Sequence, residues 1–197
     1  MGQDGEIIPA SDDREGTASF VRTHIGWMFR VAQHYMRDTA LAEDAVQNAF
    51  AQVFSKSEQF AGRSSLRTWI RRIVVNESLM ILRKRKAFEQ DHEIDALLPE
   101  FDHNQLRISP TSLDWQTGEQ RLINDETRSR VQACIARLPD AYRVVLLLRD
   151  IEERSNAEVA DQLGITETNT KVRLHRARSA LKRIIELDAV ASESQTK

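Results

Sequence analysis

Apolar positions recur at three- and four-residue intervals along most of the chain, and strictly alternating apolar–polar runs are hard to find. That period belongs to a helix, because residues i, i+3, i+4 and i+7 share one face of a 3.6-residue spiral. Val21, Ile25, Met28, Ala32 and Tyr35 predict a first helix over about 19–37. Ala42, Ala45, Val46, Ala49, Phe50, Val53 and Phe54 make a wider stripe and predict a second over about 40–56. A break over 58–65 is centred on Gly62. Trp69, Ile70, Ile73, Val74 and Ile81 then predict a third helix from Leu66 to about Ala87.

A second periodic block starts near residue 125. Val131, Cys134, Ile135 and Leu138 mark one helix, and Ala141, Val144, Val145 and Leu148 another. Pro139 suits the start of the latter, since a first-turn N–H has no helical partner to lose. Ser155-Asn156-Ala157-Glu158 has the form of a capping box, in which the Ser hydroxyl and the Glu carboxylate each take a first-turn amide. Val159, Ala160 and Leu163 follow on one face, and Gly164 stands where a left-handed residue ends a helix. Thr166 can cap a last helix running to about Leu187. A short capped helix, a Gly turn and a second helix form a helix-turn-helix pattern. Proline occurs only at 9, 99, 110 and 139, which leaves long uninterrupted helical stretches.

Between the blocks the composition shifts. Residues 88–125 contain Asp91, Glu93, Asp95, Glu100, Asp102, Asp114, Glu119 and Asp125 against Arg107 and Arg121, with two of the prolines. This reads as an acidic linker with short helices around Ile94–Leu98. The expected fold is all-α: two small helical domains, a three- to four-helix bundle and a helix-turn-helix unit. The expected boundaries are a disordered tail over 1–17, the first domain over 18–87, the linker over 88–124, the second domain over 125–187 and a disordered tail over 188–197.

Composition narrows the function classes. The 197 residues carry a formal net charge of −2, so any nucleic-acid contact must come from local patches. One cysteine, Cys134, excludes a disulfide framework and a Cys-rich zinc site. The scattered histidines and the lack of any nucleophile, metal or nucleotide-phosphate motif predict no enzyme, no cofactor and no metal. His24, His34, His92 and His103 read as structural or solvated. The longest wholly apolar run, Val144–Leu148, is far too short for a bilayer span. The first ten residues are polar and acidic and carry no signal-peptide pattern, and Glu6 breaks a myristoylation motif. A soluble protein of a reducing cytosol is expected, without membrane insertion.

Ala42-Glu43-Asp44-Ala45-Val46-Gln47-Asn48-Ala49-Phe50 resembles the polymerase-docking helix of the sigma-70 family of bacterial RNA polymerase sigma factors. Phe60-Ala61-Gly62-Arg63, with Trp69-Ile70 and Val75-Asn76, is similar to that family's −10 reading segment. Leu138-Pro139 with Arg143, Val159-Ala160 through Gly164-Ile165, and Lys171-Val-Arg-Leu-His-Arg-Ala-Arg178 resemble its −35 reading domain. The match runs in order over most of residues 18–187, and its combination is more specific than any one piece. It resembles most the short extracytoplasmic-function group. Asn48 departs from the family's acidic residue, Thr168-Asn169-Thr170 from its Gly-Thr-Val opening, and Val172 from a small polar residue.

The resemblance implies sites that residue chemistry alone leaves open. Asp44, Gln47, Asn48 and Phe50 become contacts to the beta-prime subunit of core polymerase, although a polar helix face is most often merely solvated. Phe54 reads as core. Phe60, Gly62, Arg63, Ser64, Arg72, Asn76, Arg83, Lys84 and Arg85 become contacts to −10 DNA. A ring for stacking, close backbone and donor–acceptor side chains suit an unpaired base. A plain turn and a solvated cationic helix end are the rival readings. Trp69 reads as a core anchor. Thr168, Asn169, Lys171, Val172, Arg173, His175, Arg176 and Arg178 become contacts to −35 DNA, with Val172 offered to a thymine methyl. Partners implied are core RNA polymerase through its beta-prime and beta subunits, double-stranded and melted promoter DNA, and an anti-sigma factor. The alternatives are a stand-alone helix-turn-helix regulator and a sigma-mimicking interaction protein that titrates an anti-sigma factor. The first leaves Asp44, Gln47 and Phe60 without a task; the second does not need the basic residues 83–86 and 171–183.

Overall fold

The computed structural model describes residues 8–10, 13–85, 92–98 and 125–195. Among these every regular element is helical. The chain divides into two compact units, Met1–Lys86 and Ala87–Lys197.

In the first unit, α1 (Arg14–Tyr35), α2 (Thr39–Ser55) and α3 (Leu66–Lys84) each pack on the other two. The apolar stripes meet, except that Ile25, expected on the stripe of α1, is 47% exposed. Met28, Ala32 and Tyr35 of α1, Ala42, Ala45, Ala49 and Val53 of α2, and Ile70, Val74 and Val75 of α3 are all buried. The alanines of α2 keep side chains small where its neighbours come close. Side-chain caps set all three helix starts. Asp13 accepts from the Gly16 N–H at 2.9 Å, Asp38 from the Ala40 N–H at 2.9 Å, and Ser65 from the Thr68 N–H at 3.1 Å. Each such cap is worth about 1 kcal/mol. The Asp13 cap starts α1 at Arg14, inside the stretch expected to be a disordered tail. It relies on Gly16, where a Cβ would lie 2.1 Å from an Asp13 carboxylate oxygen.

The second unit contains a short 3-10 helix (His92–Leu97), α4 (Asp125–Ala136), α5 (Asp140–Leu146), α6 (Asn156–Leu163) and α7 (Glu167–Gln195). All four other helices named pack on α7. Thr170, Leu174, Ala177, Ala180 and Ile184 are its buried stripe. Leu181, which helical spacing puts on the same side, is half-buried. The turn into α5 is held by Arg143, which is 1% exposed. Its Nη1 donates to the Leu138 carbonyl at 3.1 Å and its Nη2 pairs with Asp140 at 2.7 Å. A buried guanidinium needs such partners to offset its desolvation. The last turn of α5 widens into a π turn over Leu147–Ile151, and Glu153 follows at φ 55°.

Two expectations change here. α7 continues through Gln195 rather than stopping near Leu187. No Gly or Pro interrupts residues 188–195, and Arg130 of α4 reaches Asp188 at 3.4 Å. The expected linker is not uniform either. Ile94 is wholly buried, and the 3-10 helix packs on α7. The remainder of that linker, with His103, lies outside the described residues.

Candidate nucleic-acid and partner interfaces

On α2 the face away from the buried stripe exposes Asp44, Gln47 and Asn48. Phe50 does not join them: it is buried, while Phe54 is only half-buried, the reverse of the sequence expectation. Their rings stack with centroids 6.3 Å apart, and Phe54 lies 5.7 Å from Phe20 of α1. Two rings one turn apart share one stripe, and Phe54 keeps more of its surface although Phe20 packs against it. The aromatic edge beside the polar patch is therefore that of Phe54.

The break between α2 and α3 begins with a 3-10 turn over Ser57–Gln59. Gly62 then takes φ 66°, with open space where a side chain would be. Phe60 is half-buried, and its ring centroid lies 5.4 Å from that of Trp69. Trp69 is likewise half-buried rather than a full core anchor. The two rings thus form a partly open platform, flanked by exposed Arg63, half-buried Ser64, and exposed Arg72 and Asn76 on α3. Arg83, Lys84 and Arg85 are exposed at the C-terminal end of α3. Arg85 comes only within 4.0 Å of Asp38, a surface pair of little worth. Arg67, by contrast, lies 4.7 Å over the Trp27 ring and is engaged in packing.

The helix-turn-helix unit is built from local signals. Ser155 accepts from the Glu158 N–H at 3.2 Å, and the Glu158 carboxylate accepts from the Ser155 N–H at 2.7 Å. Those hydrogen bonds hold the Glu158 carboxyl below the usual range. Gly164 is left-handed at φ 67°, and the Ile165 N–H returns to the Ala160 carbonyl at 3.0 Å. The Thr166 hydroxyl accepts from the Asn169 N–H at 3.1 Å and caps α7. α7 then exposes Thr168, Lys171, Val172, His175 and Arg178, with Asn169 and Arg176 half-buried. Val172 keeps 47% of its surface. Lys171 pairs with Glu167 one turn back at 3.0 Å.

Arg173 departs from the expected −35 set. It is only 5% exposed, on the packed side of α7. The same helical step that exposes Val172 turns its neighbour 100° toward the domain. Sequence reasoning also missed the acids that meet α7. Asp150, in the π turn, takes two hydrogen bonds from Arg178, and Asp95 lies 3.9 Å from Arg176. No local period links residues so far apart in the chain. Cys134 is buried, and burial foremost pushes its thiol up. Among the described residues no cluster of three or more His, Cys, Asp or Glu could hold a metal ion. No helix there is long and apolar enough to cross a membrane.

Comparison with known proteins finds relatives for both parts of the chain. The family model for sigma-70 region 2 matches residues 20–88, and the one for sigma-70 region 4 matches residues 128–181, together more than half of the chain. The ECF RNA polymerase sigma factor SigW of Bacillus subtilis is 28% identical over 171 residues, covering 87% of this chain and 89% of that protein. The ECF RNA polymerase sigma factor SigM of Mycobacterium tuberculosis is 28% identical over 184 residues, covering 92% of this chain and 84% of the relative. Among solved structures, the sigma factor RpoE of Bartonella quintana, in complex with its anti-sigma factor NepR, is 20% identical with a TM-score of 0.45, over 87% of this chain and 97% of that one. With region 2 matched on the α1–α3 bundle, region 4 on the helix-turn-helix unit, and full-length relatives of the same kind, the chain belongs to the sigma-70 family of RNA polymerase sigma factors, in its extracytoplasmic-function group.

Proposed function

We propose that this sigma factor binds core RNA polymerase through the exposed polar face of α2, reads and melts the −10 element, and reads the −35 element with α7. Asp44, Gln47 and Asn48 supply the docking face, with Phe54 rather than Phe50 as its aromatic edge. Phe60 and Trp69 offer rings on which an unpaired base can stack. Asn76 offers a donor and an acceptor to a base edge. Arg72, Arg83, Lys84 and Arg85 hold the phosphates, which makes binding strongly salt-dependent.

The observation that carries the reading is the exposed face of α7. Lys171, Val172, His175 and Arg178 stand opposite the buried Thr170–Leu174–Ala177 stripe, at the N-terminal end of a capped second helix. A helix entering the major groove leads with those positions. Val172 is suited to a thymine methyl, and Lys171 to guanine or phosphate. Arg173 supports the helix from its packed side. Partners follow from the family: the beta-prime and beta subunits, promoter duplex and melted strand, and an anti-sigma factor, as in the Bartonella complex. The place of action is then the cytoplasm.

The test is transcription in vitro with core polymerase across a genomic promoter library. Start sites sharing −10 and −35 elements, appearing only with this protein, are expected. Duplex binding without polymerase recruitment would favour a stand-alone regulator.

A further inference from the structure

Arg173, Arg176, Ala180 and Arg183 are spaced three, four and three residues apart and form one flank of α7. The 3-10 helix His92–Leu97 packs on α7. Ile94 is wholly buried, the Asp95 carboxylate lies 3.9 Å from Arg176, and the Leu98 carbonyl accepts a hydrogen bond from Arg183 Nη1. The segment therefore presents an apolar plug, a carboxylate and a carbonyl, in that order, to a flank carrying three arginines. Both strands of chain run the same way, since Asp95 meets Arg176 and Leu98 meets Arg183 one heptad further on.

Arg176 is the point where this flank meets the DNA-facing side. It stands about 40° around the helix from exposed Val172. A carboxylate and a DNA phosphate make the same demand on a guanidinium, so they compete for it. We infer that residues 92–98 are an internal ligand of α7: they occupy the Arg176 flank in the DNA-free protein and loosen when duplex DNA enters. The inference rests on the reading of α7 as the −35 helix.

The pair is well exposed, with 43% of the Arg176 side chain and 64% of the Asp95 side chain in solvent. Its strength is therefore modest and screened by salt. The device raises the threshold for DNA rather than barring it. A chain whose Arg176 is already paired also releases fewer counterions on binding DNA, so removing Asp95 steepens the salt dependence.

The test uses the full chain and Asp95→Asn, which leaves the Ile94 plug intact. Two duplexes serve as probes, one recovered by selection with the wild-type chain and one scrambled. Asp95→Asn is expected to bind both about two- to fivefold more tightly at low salt, with the gain fading as salt rises. Chymotryptic cleavage after Leu97 is expected to accelerate when the wild-type chain is saturated with duplex. Equal affinity of the two proteins at every salt concentration, or cleavage unchanged or slowed by DNA, overturns the inference while leaving the DNA reading of α7 standing. Failure of both proteins to bind either duplex removes that reading, and this inference with it.

Discussion

Arg178 of α7 grips Asp150 with both arms of its guanidinium, Nε donating at 3.0 Å and Nη2 at 2.6 Å to the two carboxylate oxygens. The pair joins α7 to the π turn after α5, across 28 residues of chain. The Asp150 hydrogen bonds push the guanidinium pKa up. A bidentate pair has favourable geometry, yet at a surface it is worth only about 0.2–1 kcal/mol. It can therefore open toward a phosphate.

Arg178→Ala is expected to lower affinity for all duplex sequences alike and to reduce the salt slope by about one. Asp150→Asn, which removes the competing charge, is expected to raise affinity at low salt. Titrations at several salt concentrations measure both. An Asp150→Asn chain that binds as weakly as Arg178→Ala would make the pair a strut alone.

The docking face is tested by Asp44→Arg with Gln47→Ala. Both residues are exposed, so helicity and melting temperature should not change. Co-purification with core polymerase should be lost. Core binding of unchanged affinity would remove this face from the interface.

Phe60→Ala and Asn76→Ala are expected to weaken open-complex formation while core binding stays intact. A lost stacked base costs about 1–3 kcal/mol. Because the Phe60 ring also rests 5.4 Å from Trp69, a thermal melt of each variant serves as a control. Permanganate reactivity of −10 thymines reads the result, and reactivity equal to wild type would exclude both residues.

Val172→Ser is expected to shift preference at one −35 base pair by roughly 1 kcal/mol, the low end of a single-position effect. Selection from randomised −35 duplexes measures it. The side chain is 47% exposed and the change leaves the core untouched, so an altered preference cannot come from misfolding. An unchanged preference means that this valine does not read DNA.

Glu153 is exposed at φ 55°, a left-handed conformation that costs a residue with a Cβ about 1–2 kcal/mol. Glu153→Gly removes that strain and adds about 0.5–1 kcal/mol of unfolded-state entropy against folding. A net gain of about 0.5–1 kcal/mol is expected. It would appear as a higher melting temperature with DNA binding preserved.

What the sequence determined by itself is local. The Ser155–Glu158 box, the Gly164 turn, the Thr166 cap and the stripes of α1, α2 and α3 each depend on partners within about four residues, where helical geometry leaves little choice. The motifs of region 2 and region 4 sit on those same elements, so the family could be read before the fold. Tertiary structure decided which side of each wheel was covered. Phe50 and Phe54 lie on one stripe, and packing leaves Phe54 the more open even with Phe20 of α1 against it. Arg173 reads as one more cation on a basic helix until packing takes its face. Asp150 and Asp95 have no helical period that leads to Arg178 or Arg176, and a short acidic stretch gives no sign that Ile94 will be a plug. Contacts between residues distant in sequence depend on how whole helices dock, and a one-dimensional pattern records each helix's apolar face but not the neighbour that will lie on it.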